Sequence, residues 1–211
     1  MQDFGQPEGG DDPRQDGPNA ADLGESTFVR FGLLFYGAMM AAALVWRVGL
    51  YGEPILYASA EAEAAGIRPI RDVGLGVVVG LLVVGVSHVA TVRTGWGERL
   101  ARRLAESLGP VSTPNAILVA MASGLGEELF FRGALQPRVG LVLASLLFGL
   151  VHFVPRREML PWTGFAVVTG LALGAMFEWT GNIVAPVVAH IVVNGVNLPY
   201  LVRRYGAGSN A

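Results

Sequence analysis

The 211-residue chain has room for one domain, and its composition is that of a membrane protein. Its mean hydropathy is +0.48 and 15% of its residues are charged, whereas soluble domains carry about 25%. The chain has no cysteine, which excludes disulfides and cysteine-ligated metal centres. The net charge is −2, and no basic patch is interleaved with aromatic residues, so nucleic-acid binding is not expected.

The first 27 residues differ in composition from the rest of the chain. They hold seven acidic residues and one arginine, and they are rich in Gly, Pro, Asp and Gln. Such a segment cannot bury an apolar face, so residues 1–27 are predicted to form a disordered acidic tail. Residues 28–204 are predicted to form a transmembrane domain, and residues 205–211 a flexible C-terminal tail.

Six apolar stretches approach the roughly 20 residues that a spanning helix requires. They are residues 28–50, 72–92, 114–136, 139–154, 161–179 and 183–202. Residues 96–108 instead place Leu100, Leu104 and Leu108 on one face and arginines elsewhere, which is typical of a helix lying in the membrane interface. The predicted fold class is therefore all-α: a polytopic transmembrane helix bundle of about six spanning helices plus an interfacial amphipathic helix.

Two further features bear on packing and orientation. Gly76 and Gly80, and likewise Gly170 and Gly174, stand four apart, a spacing that lets helices approach closely. Six spans put both termini on one side, which would hold ten of the fifteen arginines. Because arginine-rich loops stay in the cytoplasm, both termini are predicted to be cytoplasmic. Residues 53–70 are predicted to form a short helix or loop outside the membrane.

The third predicted span contains three charged residues, each costing about 2.5–3.5 kcal/mol on insertion scales. Glu128 and Arg132 stand four apart and can pair along the helix. Glu127 points about 100° away from Glu128 and has no intrahelical partner. Glu127 is therefore the candidate for chemistry, and the alternative is a buried structural ion pair with a spectator acid.

All three histidines of the chain lie in apolar spans. Asn194 follows His190 by one helical turn, so an imidazole and an amide share one face, and both can donate hydrogen bonds to a developing oxyanion. His152 lies near the end of the fourth predicted span. His88 has no acid or amide at helical spacing, so it is assigned a structural role.

Taken together, these residues resemble the three-motif signature of the CPBP/Abi family. The motifs are Glu127-Glu128-x-x-x-Arg132, Phe148-x-x-x-His152 and His190-x-x-x-Asn194. The family contains the type II CAAX prenyl endopeptidases, also called Ras-converting enzymes, and many bacterial membrane proteases. The resemblance covers a core of roughly residues 110–202, and the motifs occur in order on separate spans.

The resemblance implies an intramembrane endopeptidase, and we favour a metal-free mechanism because Asn194 has a role in it. Glu127 would be the general base that activates water, and His152 would hold and polarise that water. His190 and Asn194 would form the oxyanion hole. The supporting residues that it implies are Glu128, Arg132 and Phe148, the last of which would pack beside His152.

The same resemblance implies the substrate class and the location. The substrate would be a membrane protein or lipidated peptide, cut near its C-terminus, with either a prenylated end or a membrane-anchoring sorting tail. The bilayer would be the inner membrane of a bacterium.

Three alternatives stay open at the level of sequence. Glu127, His152 and His190 could ligate Zn²⁺ and leave one position for water, although no HExxH motif is present. A non-enzymatic membrane immunity or scaffold protein is a second alternative. A transporter or proton relay is a third, since such proteins also carry intramembrane acids and histidines. Against a transporter, the sequence shows no internal repeat with paired broken helices.

Overall fold

The computed structural model describes residues 20–206, and these residues form eight α-helices and no strand. The helices are α1 (Ala20–Leu44, continued by a π-helical turn Val45–Leu50), α2 (Ala60–Ala65), α3 (Pro69–Arg93), α4 (Gly95–Leu108), α5 (Thr113–Glu128, continued by a π-helical stretch Leu129–Leu135), α6 (Gln136–Val151), α7 (Leu160–Thr180) and α8 (Val184–Tyr205). The predicted all-α membrane bundle is confirmed.

Five helical segments are long and apolar enough to cross a bilayer, where six spans were predicted. They are Leu23–Leu50, Pro69–Arg93, Thr113–Val151, Arg157–Thr180 and Val184–Tyr205. The third segment contains the third predicted span and all but the last three residues of the fourth. At Gly140 its backbone leaves the helical conformation, with φ 79° and ψ 167°.

The chain reverses its direction at Gly140. Along one continuous helix, Glu127 and His152 would be about 37 Å apart, yet their side chains lie 3.8 Å apart. The six predicted stretches are therefore present as six helical limbs. The fourth limb, residues 141–151, is about 16 Å long, roughly half of the 30 Å hydrocarbon layer. It ends in the middle of the bundle at His152.

The predicted boundary of the N-terminal tail is wrong, because α1 begins at Ala20 and residues 20–27 are helical. Glu25 accepts hydrogen bonds from Ser112 N at 2.7 Å and from Asn115 Nδ2 at 2.6 Å. These contacts hold Glu25 against the start of α5 and stabilise the helical turn. Amino-acid composition does not reveal such a contact. Residues 1–19 of the predicted tail, and 207–211 of the predicted C-terminal tail, lie outside the described residues.

Contacts between helix ends define one face of the bundle, which we call the termini face. Glu25 of α1 bonds to Ser112, just before α5. Arg203 Nε of α8 donates to Thr113 Oγ1 at 3.2 Å. Arg103 of α4 pairs with Glu158, just before α7, at 3.0 Å. The start of α1 and the end of α8 therefore lie on the same face.

The opposite face, which we call the loop face, is covered by residues 51–59. Ile183 N donates to Leu56 O at 3.0 Å, which ties this loop to the start of α8. Glu53 pairs with Arg138 at 2.6 Å, which ties it to α6. The loop thereby closes the loop-face end of the bundle, below the charged residues of α5.

Both predicted glycine pairs lie where two helices meet. A Cβ on Gly80 of α3 would stand 2.8 Å from the Cβ of Val192 on α8. A Cβ on Gly174 of α7 would stand 2.5 Å from a methyl carbon of Leu141 on α6. Real Cβ atoms do not approach other atoms so closely, so the contact with the Cβ of Val192 requires glycine, whereas at Gly174 the end of the Leu141 side chain would have to move.

Helix α4 is amphipathic, as predicted. Ala101 and Ala105 are buried against Leu201 of α8. Arg102 and Glu98 pair on the exposed side of the helix at 2.7 Å. The helix runs across the termini face, as expected for an element at the membrane interface.

Candidate active site

Side chains from three helical limbs converge in the middle of the bundle. Glu127 comes from α5, His152 from the end of α6 and His190 from α8. Glu127 Oε2 lies 3.8 Å from His152 Nε2 and 3.9 Å from His190 Nε2. This oxygen is buried and has no hydrogen-bond partner among the described residues. The two separations exceed a direct hydrogen bond, and one water can bridge groups at such distances.

Both imidazoles present Nε2 to Glu127 because their other ring nitrogen is anchored. Nδ1 of His152 lies 2.7 Å from the carbonyl oxygen of Phe148. A carbonyl only accepts hydrogen bonds, so this nitrogen carries the proton and Nε2 is left as an acceptor. Nδ1 of His190 lies 2.7 Å from Glu128 Oε1. The carboxylate likewise fixes the orientation of that ring.

A buried cation balances part of the charge at the site. Arg132 Nη1 lies 3.1 Å from Glu128 Oε1, and its Nη2 donates to Gly170 O at 2.9 Å. Both ionic side chains are almost completely inaccessible, at 2% and 0%. Two buried carboxylates thus face one guanidinium. A proton on both nitrogens of His190 would neutralise the cluster, since isolated buried charge is costly.

Arg132 lies within the π-helical stretch Leu129–Leu135, which begins directly after the two acids. Such stretches are rare and occur frequently at functional sites. The wider turn here lets Arg132 reach both its own helix and the backbone of α7.

Asn194 lies near the midpoint of α8, one turn beyond His190. Its Nδ2 donates to Ser123 Oγ at 2.9 Å. The Ser123 hydroxyl in turn donates to Ala120 O at 3.1 Å. Ser123 stands four residues before Glu127 and shares its helix face. The amide of Asn194 is therefore held one helical turn from Glu127 on α5 and one turn from His190 on α8.

Phe148 fills the space between the ionic cluster and His152. Its ring centroid is 4.7 Å from the ring of His152 and 5.0 Å from that of Phe131. The guanidinium of Arg132 stands 4.6 Å from the same ring, which is cation–π geometry. Phe148 therefore packs beside His152, as the resemblance implied, and separates Arg132 from it.

The structure brings all seven predicted site residues together. His88 lies apart from them, with its ring edge-on to Tyr200 at 5.5 Å. Three neighbours were missed by the sequence. Ser123 could have been found from its four-residue spacing to Glu127. The other two carry no such signal. They are Tyr36 of α1, whose phenol faces the Glu127 carboxylate, and Trp162, whose ring lies 5.6 Å from that of His152.

The donor set was compared with a zinc site. Two ligands of a tetrahedral Zn²⁺ stand about 3.3–3.4 Å apart, given metal–ligand bonds of about 2.0–2.1 Å. The separations from Glu127 Oε2 to the two Nε2 atoms are 3.8 and 3.9 Å, wider than that. Among residues 20–206, no group of three or more His, Cys, Asp or Glu is arranged to hold a metal ion. The donor atoms of the described arrangement thus stand farther apart than two ligands of one zinc ion do.

Comparison with known proteins shows that part of this chain is similar to a known family. Residues 109–196 match the family described as type II CAAX prenyl endopeptidase Rce1-like. An uncharacterized protein of Bacillus subtilis (strain 168), YpbD, is 40% identical over 87 residues, which cover 40% of this chain and 44% of that relative. The match thus spans less than half of the curated relative. No solved structure matches the chain.

Proposed function

On the premise that residues 109–196 belong to the type II CAAX prenyl endopeptidase Rce1-like family, we propose that this protein is an intramembrane endopeptidase. The observation that carries the proposal is the convergence of one unpartnered carboxylate oxygen and two imidazole nitrogens within 3.9 Å. These groups come from three different limbs and meet inside an integral membrane bundle. Polar groups at such depth are costly and mark functional sites.

In the proposed reaction, Glu127 is the general base. It takes a proton from a water molecule that His152 Nε2 also holds, and the water oxygen attacks the carbonyl carbon of the scissile peptide bond. The carbonyl π electrons move to oxygen and form the tetrahedral oxyanion. The oxyanion then re-forms the C=O bond as the C–N bond breaks, and Glu127 returns the proton to the leaving amine nitrogen.

The oxyanion is stabilised by donors on α8. His190, protonated at both ring nitrogens and held by Glu128, donates from Nε2. Asn194 donates through the second hydrogen of its Nδ2, since the first is bound to Ser123. Donors fixed before the reaction are worth far more in a dry site than in water. Arg132 and Phe148 hold Glu128 and His152 in place.

We further propose that the substrate is a membrane-associated or lipid-anchored protein cut near its C-terminus. The site lies at mid-depth of the bundle, so the scissile bond must enter the bilayer. Because residues 51–59 cover the loop face, the substrate would reach the site from the termini face. Eight arginines lie near the termini face and four near the loop face, which favours cytoplasmic termini in a bacterial inner membrane. They are Arg93, Arg99, Arg102, Arg103, Arg156, Arg157, Arg203 and Arg204 on the first face, and Arg47, Arg68, Arg71 and Arg138 on the second.

The test compares protein C-termini in the membrane fraction of cells that express the wild type or Glu127→Gln. Loss of a general base typically lowers the rate by about 10²–10⁴-fold, so cleaved termini that accumulate with the wild type should be missing with the variant. Glu178→Gln is the matched control, because Glu178 lies in the span Arg157–Thr180 and bonds to Gln136 rather than to the site.

Identical termini with the wild type and Glu127→Gln, at equal protein levels, would contradict the proposal. If the variant also kept the cellular phenotype of the wild type, the protein would act as an immunity or scaffold protein. If purified protein in liposomes instead carried a proton or solute flux that Glu127→Gln abolished, it would act as a transporter or proton relay.

A further inference from the structure

A cavity of about 340 Å³ lies between α3, α4, α7 and α8, on the termini-face side of the candidate active site. Its volume is within the range of ligand-binding pockets. Its apolar lining includes Val84, Leu100, Leu104, Leu108, Phe165 and Val193. The walls from α3 and α4 lie outside residues 109–196, the segment that matches the protease family.

The inner end of the cavity reaches the candidate active site. Asn194 and Trp162 are both part of its lining. Asn194 is bonded to Ser123, one helical turn from Glu127. The ring of Trp162 packs on that of His152 at 5.6 Å between centroids. A molecule that fills the cavity would therefore end beside the groups that carry out the reaction.

The wall formed by α3 and α8 carries a polar strip, which we define as Ser87, Thr91, Asn194 and Asn197. Ser87 Oγ lies 3.2 Å from Asn197 Oδ1. Nδ2 of Asn197 and Oδ1 of Asn194 make no hydrogen bond among the described residues, although both side chains line the cavity. Hydrogen-bonding groups are thus available along one side of an otherwise apolar space.

We propose that this cavity binds, in extended conformation, the apolar peptide segment of the substrate that adjoins the scissile bond. The proposal rests on the proposed function. Each peptide residue carries an N–H and a C=O, which cost several kcal/mol if left unpaired in an apolar medium. The polar strip supplies hydrogen-bond partners for the peptide N–H and C=O groups. A bound hydrocarbon chain would instead leave the side chains of the strip unpaired.

The dimensions of the cavity fix the length of the segment. The α8 residues that line it run from Val193 to Leu201, eight residues on, which is about 12 Å of helix. An extended peptide advances about 3.3 Å per residue. The cavity therefore takes about four residues, with alternate side chains against the leucines of α4 and the backbone along the polar strip.

The experiment measures binding in the Glu127→Gln protein, so that no probe is cleaved. The peptide probe is an acetylated tetrapeptide of leucine and valine that carries a benzophenone. The lipid probe is a benzophenone-tagged hexadecanol. After irradiation, mass spectrometry locates the crosslinks. The peptide probe is expected to label the cavity-lining residues of α4 and α8, and the lipid probe to label outward-facing residues such as Leu82.

Two variants separate this binding mode from general hydrophobic attachment. Asn197→Leu keeps the branched shape of the side chain and removes the amide, so it should weaken binding of the peptide probe about 3–10-fold and leave that of the lipid probe unchanged. Leu104→Trp fills the cavity and should abolish peptide labelling there. Its matched control is Leu82→Trp, on a residue that is 65% exposed on α3 and faces away from the bundle.

Preferential labelling of the cavity by the lipid probe, or peptide labelling that Asn197→Leu leaves unchanged, would overturn the inference. Because binding is measured in the inactive variant, its outcome is independent of catalysis. Cavity labelling together with absence of cleavage by the wild type would defeat the proposed function alone. Cleavage without peptide in the cavity would defeat the binding inference alone.

Discussion

Nδ2 of Asn194 lies 2.9 Å from Oγ of Ser123, and this contact joins α8 to the face of α5 that carries Glu127. The serine hydroxyl donates its only proton to Ala120 O. The serine oxygen can therefore only accept a hydrogen bond from Asn194. This selects the Asn194 amide orientation in which the NH₂ group faces α5. One amide hydrogen binds the serine, and the other is left for the oxyanion of the proposed reaction.

The contact predicts a positioning role for Ser123. Ser123→Ala should lower kcat about 5–20-fold with little change in KM, because the misoriented amide no longer stabilises the oxyanion while the ground-state complex is unaffected. Asn194→Ala, which removes the donor itself, should lower kcat about 10²–10³-fold. Steady-state kinetics on a substrate identified from the C-terminal comparison checks both values.

The control for Ser123→Ala is Ser145→Ala. Ser145 is equally buried and also donates to its own helix, to Leu141 O at 2.8 Å, without touching Asn194. A double-mutant cycle gives the decisive comparison. If Ser123 acts through Asn194, adding Ser123→Ala to Asn194→Ala should have no further effect. Additive losses would mean that the serine acts elsewhere.

The buried pair of Glu128 and Arg132 makes a second prediction, about stability. Glu128→Gln leaves the Arg132 guanidinium buried without its counter-charge, which typically costs about 3–5 kcal/mol. The thermal unfolding temperature of the protein in detergent should therefore fall by several degrees, and activity should be lost because His190 also loses the negative charge that favours its protonated form. Glu98→Gln is the matched control, since Glu98 and Arg102 form the same i,i+4 pair on the exposed side of α4. It should leave stability unchanged.

A further variant tests the cause of this loss. In Glu128→Gln combined with Arg132→Gln, both charges are gone and the two amides can bond to each other. The unfolding temperature should recover while activity stays absent. A double variant as unstable as the single one would show that the charge imbalance is not the cause.

The sequence predicted which residues lie close together better than it predicted the details of the chain path. Periodicity was sufficient for the pairing of Glu128 with Arg132 and for the shared face of His190 and Asn194, because both lie within single helices. The contact between Ser123 and Asn194 was not predictable in this way. A helical period gives the face of each helix, but it does not give which neighbouring helix that face meets or at what height.

The same limit explains the errors in the fold. Hydrophobicity located the spans, since lipid is the solvent for their surfaces. The reversal at Gly140 depends on one residue with φ 79°, and a glycine in an apolar run is as compatible with helix packing as with a turn. The start of α1 was placed too late because Glu25 is held by Ser112, a contact between residues 87 positions apart.

A third prediction concerns metal. Purified active protein should contain substoichiometric zinc by mass spectrometry, and dialysis against a chelator should leave cleavage intact. The reason is the geometry of the donors: Glu127 Oε2 stands farther from both imidazole nitrogens than two ligands of one zinc ion do. One zinc per chain, lost together with activity and restored with it, would establish the metal-dependent version of the reaction.

A fourth prediction links the packing of α3 to the chemistry on α8. Val192, which a Cβ on Gly80 would meet at 2.8 Å, stands between His190 and Asn194 in sequence. Gly80→Ala must push α8 away from α3, and overpacking of this kind typically costs about 1–3 kcal/mol. Unfolding temperature and kcat should fall together, because both oxyanion donors move with the helix.

Gly85 provides the control on the same helix. A Cβ there would have no atom within 4 Å, so Gly85→Ala changes helix propensity without touching α8. Its unfolding temperature should be equal or slightly higher, since alanine favours the helix over glycine by about 1 kcal/mol, and its kcat should be unchanged. Equal losses in Gly80→Ala and Gly85→Ala would mean that the glycines of α3 matter for helix flexibility, and that α8 is not positioned by its contact with Gly80.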